Sequence, residues 1–64
     1  MPVIMVKTRK GVLKTKEMKA QLIEELSEAF ARTVGDNSYK ERTTLIIEEI
    51  PDENWGRSGK QVTS

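Results

Sequence analysis

Residues 15–35, TKEMKAQLIEELSEAFARTVG, decide the fold, because Met18, Leu22, Leu26, Ala29, Phe30 and Thr33 recur at three- and four-residue steps. Ile23 and Val34 widen the stripe. That period predicts an amphipathic helix over residues 16–34. Thr15 suits the N-cap, Glu17 stands in the first turn, and Gly35 supplies the left-handed residue that ends a helix. The opposite face carries Lys16, Lys19, Glu24, Glu28 and Arg32, read as solvent-facing, with Glu28 and Arg32 paired four apart.

Upstream, residues 2–8 (PVIMVKT) hold four consecutive apolar side chains rich in β-branching, which predicts a strand buried on both faces. Pro2 fits the first position of such a strand, where no ladder donor is needed. Downstream, residues 36–41 (DNSYKE) read as a turn-rich connector. Residues 43–50 (TTLIIEEI) then read as a second strand, stopped by Pro51. In the tail, Gly56 and Gly59 flank a stretch suited to a short hairpin. Strand, helix, strand is the grammar of a β-α-β unit with parallel strands and a right-handed crossover. The expected class is therefore α+β, in one domain over residues 1–64.

The 64 residues include no cysteine and no histidine, which removes disulfides and the usual zinc geometries as staples for so small a core. One helix can cover only one face of a two-stranded sheet. The other face and the open edges must meet further copies of the chain, so the unit is expected to be an obligate homo-oligomer. A net charge of +1 supplies no field for steering nucleic acid. Lys7, Arg9, Lys10, Lys14, Lys16 and Lys19 cluster against a single Glu17, a run read as solvated surface. With no apolar run near the ~18 residues of a membrane span, and no apolar signal segment, the expected location is cytoplasmic.

The chemically informative residue is Pro2. Removal of Met1 would leave its ring nitrogen as a secondary amine at the chain end, where the reference pKa of ~7.7–8.0 lies well under that of lysine. Apolar surroundings and nearby cations lower it further, and a neutral amine near pH 7 is a competent general base. Glu48 and Glu49 do not form an acid–base pair, because neighbours on a strand point to opposite faces.

Four segments then stand in a familiar order: Met1-Pro2-Val3-Ile4, LIEELSEAF at 22–30, LIIEEI at 45–50 and NWGRSG at 54–59. In these the chain resembles the 4-oxalocrotonate tautomerase family of small tautomerases over nearly its whole length. The resemblance implies a tautomerase fold, commonly a hexamer built as a trimer of dimers. It implies cofactor-free isomerisation of small carboxylate-bearing enol or dienol substrates, with Pro2 as the base. It puts Trp55 at the aromatic position that walls the pocket. The family's Gly-Arg after the first strand stands here as Gly11-Val12, and an insertion before the helix would bring Lys14 to the arginine's place. The second family arginine aligns with Thr44, and Arg42, two positions earlier, is expected on the same strand face. Arg9 sits where some family dehalogenases carry an arginine, and Arg57 follows Trp55 in the tail. Arg9 and Arg42 are the preferred carboxylate ligands, because a guanidinium grips a carboxylate bidentately and lysine does not. Decarboxylation or dehalogenation of small acids is the alternative within the superfamily. Arg57 stands where the hydrating dehalogenases hold a glutamate, which argues against water addition. Retention of Met1 would make Pro2 an amide and the chain a non-catalytic oligomer of the same fold.

Overall fold

The computed structural model describes residues 2–61. Strand β1 (Val3–Arg9) is followed by helix α1 (Lys16–Val34), a one-turn helix α2 (Tyr39–Arg42) and strand β2 (Thr44–Ile50). A 3-10 turn (Asp52–Asn54) leads into the short strands β3 (Gly56–Arg57) and β4 (Lys60–Gln61). β1 and β2 pair in parallel, with Val3 opposite Thr44 and Arg9 opposite Ile50. The tail is the expected antiparallel hairpin, and its turn is Ser58-Gly59, both at positive φ, the backbone form that matches strand twist in two-residue hairpins.

α1 begins and ends where its caps dictate. Thr15 Oγ1 accepts the Met18 amide at 3.1 Å, and Gly35, at φ 85°, closes the helix with its amide on the Ala31 carbonyl. Its apolar stripe covers the face of the sheet that carries Ile4, Val6, Leu45 and Ile47, all half-buried. Ser27 and Ala31 are the buried side chains among the described residues.

The expectation that β1 is buried on both faces does not hold within one chain. Val3 is 58% exposed, Met5 55% and Ile46 45%, because strand side chains alternate and the single helix reaches one face only. The register puts these three on the same uncovered face, together with Lys7 and Arg9. The radius of gyration of 14.7 Å exceeds the about 11 Å of a closed chain of this length, so one subunit is a slab with an apolar side open.

Four other expectations are corrected. Residues 36–41 contain helix as well as turn, because the Asp36 carboxylate accepts both the amide and the hydroxyl of Ser38 and starts α2 at Tyr39. Arg42 is consequently the last residue of α2 and not a member of β2, and the shared strand face with Thr44 is lost. Glu28 does not pair with Arg32: its carboxylate takes Lys40 of α2 at 2.8 Å, which ties the two helices together. Lys19, assigned to the solvent side, is half-buried and bonds Glu49 of β2 at 2.7 Å. Among the described residues no helix is long and apolar enough to cross a membrane.

Candidate functional site

The chemistry-bearing residues collect at the two ends of the parallel pair. At the end where both strands begin, Pro2 stands half-buried just before β1, and its carbonyl accepts the Thr44 amide at 3.0 Å. Arg42 lies two residues before Thr44, so the chain brings a guanidinium to Pro2's end of the sheet. That guanidinium is stacked 4.7 Å over the Tyr39 ring, which forms an edge-to-face pair with Phe30 of α1, ring centroids 6.1 Å apart. A cation over an aromatic face keeps its charge while losing side-chain freedom. Met1, whose removal the reading of Pro2 requires, lies outside the described residues.

At the far end, Lys7, Thr8, Arg9, Trp55 and Arg57 line a groove of about 370 Å³. Lys7 and Arg9 reach it because they share the uncovered face of β1. Trp55 reaches it because the turn after β2 folds back: its indole nitrogen donates to the Ile50 carbonyl at 3.2 Å, and its amide to the Asp52 carbonyl at 3.1 Å. The Ile50 carbonyl also takes the Lys10 amide at 3.0 Å, which locks the end of β1 to the end of β2. Gln61 bonds the Glu53 carbonyl at 2.9 Å and holds the hairpin, and with it Arg57, against the turn. Arg9 donates through Nε to Asp52 Oδ1 at 2.7 Å.

Three of the site residues expected from the sequence, Arg9, Trp55 and Arg57, are thus brought together. Pro2 and Arg42 are brought to the opposite end. Lys14 is exposed in the loop before α1 and lines neither group. A seven-residue strand at about 3.3 Å per residue spans roughly 20 Å, so Pro2 and the groove of the same chain do not meet. Lys7 and Asp52 are additions to the site. The i, i+2 spacing of Lys7 and Arg9 was a readable signal for the first; the Asp52 contact depends on a turn that carries no periodicity.

Three cations face the groove, one of them bonded to Asp52, so the surface favours an anion with flat, apolar parts that can lie against the indole. The shifted ionisations lie elsewhere. Glu49 is held below its usual carboxyl value, chiefly by its hydrogen bond from Lys19, with the Gly11 amide acting in the same direction. Glu28 is lowered by Lys40, and Lys40 raised by Glu28. Asp36 is lowered by the Ser38 hydroxyl and amide.

Comparison with known proteins gives this arrangement its kin. Residues 2–64 match the family model described as "Tautomerase enzyme". The chain is 39% identical over 56 residues to "Probable tautomerase K2" of Dickeya dadantii (strain 3937), an alignment that covers 88% of this chain and 78% of the relative. Among solved structures it is similar to YwhB, a homologue of 4-oxalocrotonate tautomerase, with a TM-score of 0.78, 32% identity, and 94% of this chain and 92% of the other covered. An apo unfused 4-OT gives a TM-score of 0.77 at 33% identity, covering 95% and 93%.

Proposed function

The chain belongs to the tautomerase family, and from that premise we propose that it ketonises 2-hydroxydienoate or enol acid substrates with Pro2 as general base. The observation that carries the reading is the convergence of Arg9, Trp55 and Arg57 on one groove beside an uncovered apolar sheet face. Removal of Met1 supplies the amine. Pro2 nitrogen, neutral near pH 7, takes the enol hydroxyl proton as the carbon–oxygen bond becomes a carbonyl. The displaced electron pair moves through the diene to a distant carbon, which receives the proton back from the prolinium. The proton is returned and nothing is oxidised, so the cycle balances without a cofactor.

Arg9 and Arg57 hold the substrate carboxylate, Trp55 walls the pocket, and a guanidinium close to the developing oxyanion lowers its energy. Arg42 serves as the cation at Pro2's own end. Because that end and the groove lie roughly 20 Å apart along β1, Pro2 of one copy works against the groove of another. The assembly is a homo-oligomer in which Val3, Met5 and Ile46 are covered by a further copy, with the hexameric trimer of dimers as the form the reading favours.

The test pairs an intact-mass determination on protein from its native host with ketonisation of 2-hydroxymuconate and phenylenolpyruvate across pH. The expected result is loss of Met1, and activity governed by an ionisation below ~8, at or under that of a free α-amine. Pro2→Ala should lower turnover by about 10²–10⁴-fold, the worth of a positioned general base, and leave the assembly intact. Retained Met1 with no turnover, or undiminished turnover in Pro2→Ala, overturns the assignment.

A further inference from the structure

We propose that Asp52 is a positioning residue that aims Arg9 at the substrate carboxylate, an inference that rests on the groove being the carboxylate site. Among the described residues Arg9 bonds Asp52 through Nε alone, at 2.7 Å. A guanidinium has five donors in a planar fork. Using Nε against one carboxylate oxygen fixes the plane of that fork and leaves the two terminal nitrogens available for a bidentate grip on a second carboxylate.

Asp52 is itself held from both sides. It opens the 3-10 turn that follows Pro51, whose carbonyl accepts the Asn54 amide at 2.9 Å, and its own carbonyl accepts the Trp55 amide. The Trp55 indole returns to the Ile50 carbonyl, and Ile50 stands opposite Arg9 in the sheet. A closed circuit therefore runs from Arg9 through Asp52, Trp55 and Ile50 back to the end of β1. One residue sets the aim of the guanidinium with its side chain and the place of the indole with its backbone. Arg9 and Asp52 side chains are 35% and 53% exposed, and an ion pair so open to water adds little to folding stability. Its value lies in orientation, which removes the rotamer freedom that a long, free arginine would lose on binding.

The same carboxylate could act in the opposite sense, as a competitor that occupies Arg9 and weakens substrate binding. The two roles predict opposite signs on removal. Asp52→Ala and Asp52→Asn are compared with wild type in the full-length chain, by ketonisation of phenylenolpyruvate and by titration of cis,cis-muconate, a diacid with no enol to ketonise. Trp55 is the only tryptophan of the chain and lines the groove, so its fluorescence reads occupancy whether or not the protein turns over.

In Asp52→Ala, KM and the muconate dissociation constant should each rise about fivefold with kcat held within about twofold, the pattern of lost ground-state binding. Asp52→Asn keeps an acceptor oxygen and should recover most of that loss. In an Arg9→Ala background Asp52→Ala should add nothing further, the non-additivity of residues that act as one unit. Unchanged or tighter binding in Asp52→Ala, while Arg9→Ala weakens it, overturns the positioning role and leaves the groove assignment standing. Unchanged binding in Arg9→Ala overturns both. Tight muconate binding without turnover sinks only the assignment of Pro2 as base, and the Asp52 comparison is then read from fluorescence.

Discussion

The two ends of the β1–β2 pair differ in what they hold and in how they hold it. The end at Pro2 offers one ring nitrogen and one guanidinium, the latter braced by a ring stack on α2. The end at Arg9 offers three cations and an indole, braced by backbone carbonyls and a carboxylate of the turn after β2. Under the proposed function the first moves a proton and the second binds an acid. With the length of a strand between them, neither is a complete site, and the apolar face that runs along that strand is open. A chain built in this way reads as two half-sites joined by an interface.

The largest effect is expected from breaking the surface that joins them. Ile46→Glu puts a charge into the apolar centre of the uncovered face and opposite Met5; burying it unpaired in an interface is severely unfavourable. Sedimentation should show smaller species, and turnover should fall in parallel with the loss of assembly. Full activity in a dissociated Ile46→Glu protein would break the two-half-site description.

The next effect separates the ends. Arg9→Ala should raise KM for phenylenolpyruvate about tenfold, since it removes a charge-assisted grip on the carboxylate. Arg42→Ala should depress kcat along with kcat/KM if Pro2 is the base, because its guanidinium belongs to the Pro2 end of the sheet. Equal KM effects from both substitutions would erase the functional distinction between the ends and show two binding arginines instead.

The smallest effect concerns the scaffold between the ends. Glu49 is held below its usual carboxyl value of 4.5 by the hydrogen bond from Lys19. A depressed carboxyl contributes stability above its unfolded value, and that contribution is lost as the pH falls through the folded one. Glu28 follows the same rule through Lys40. Lys40 itself, raised above 10.5 by Glu28, loses its share only as the pH climbs past that value. Thermal midpoints of wild type and Glu49→Gln should therefore differ modestly at pH 6 and converge below about pH 4. A gap that persists into stronger acid would mean that packing, and not charge, links α1 to β2.

Much of this scaffold was legible because periodic segments announce themselves. The helix over residues 16–34, its Thr15 and Gly35 caps, the parallel pairing and the tail hairpin all appear as the patterns require. Pro51 ends β2 as expected. The misreadings cluster where a single side-chain contact decides the geometry. Asp36 turning Ser38 into a helix start relocated Arg42 off the strand, and Lys40 drew Glu28 away from Arg32. The continuous apolar run of β1 was read as a strand buried on both faces. One chain covers only half of it, because a single helix reaches one face of the pair.

Of the candidate site, Arg9, Trp55 and Arg57 are expected from their places in the family resemblance, and the structure joins them in one groove. Their common anchor, Asp52, is not. Its role depends on a turn that folds the tail back across the end of β1, and no spacing in residues 51–55 encodes that path.

Whether Pro2 and Arg9 of different copies make one site is decided by subunit mixing. Pro2→Ala and Arg9→Ala chains, each impaired alone, are unfolded together in equal amounts, refolded and assayed at substrate concentrations below KM. If each site takes its proline from one chain and its arginine from another, roughly a quarter of the sites in random symmetric assemblies regain both native residues, and kcat/KM rises well above the average of the two parents. A mixture that never exceeds that average would mean that base and arginine act from the same chain, and the two-half-site account would be wrong.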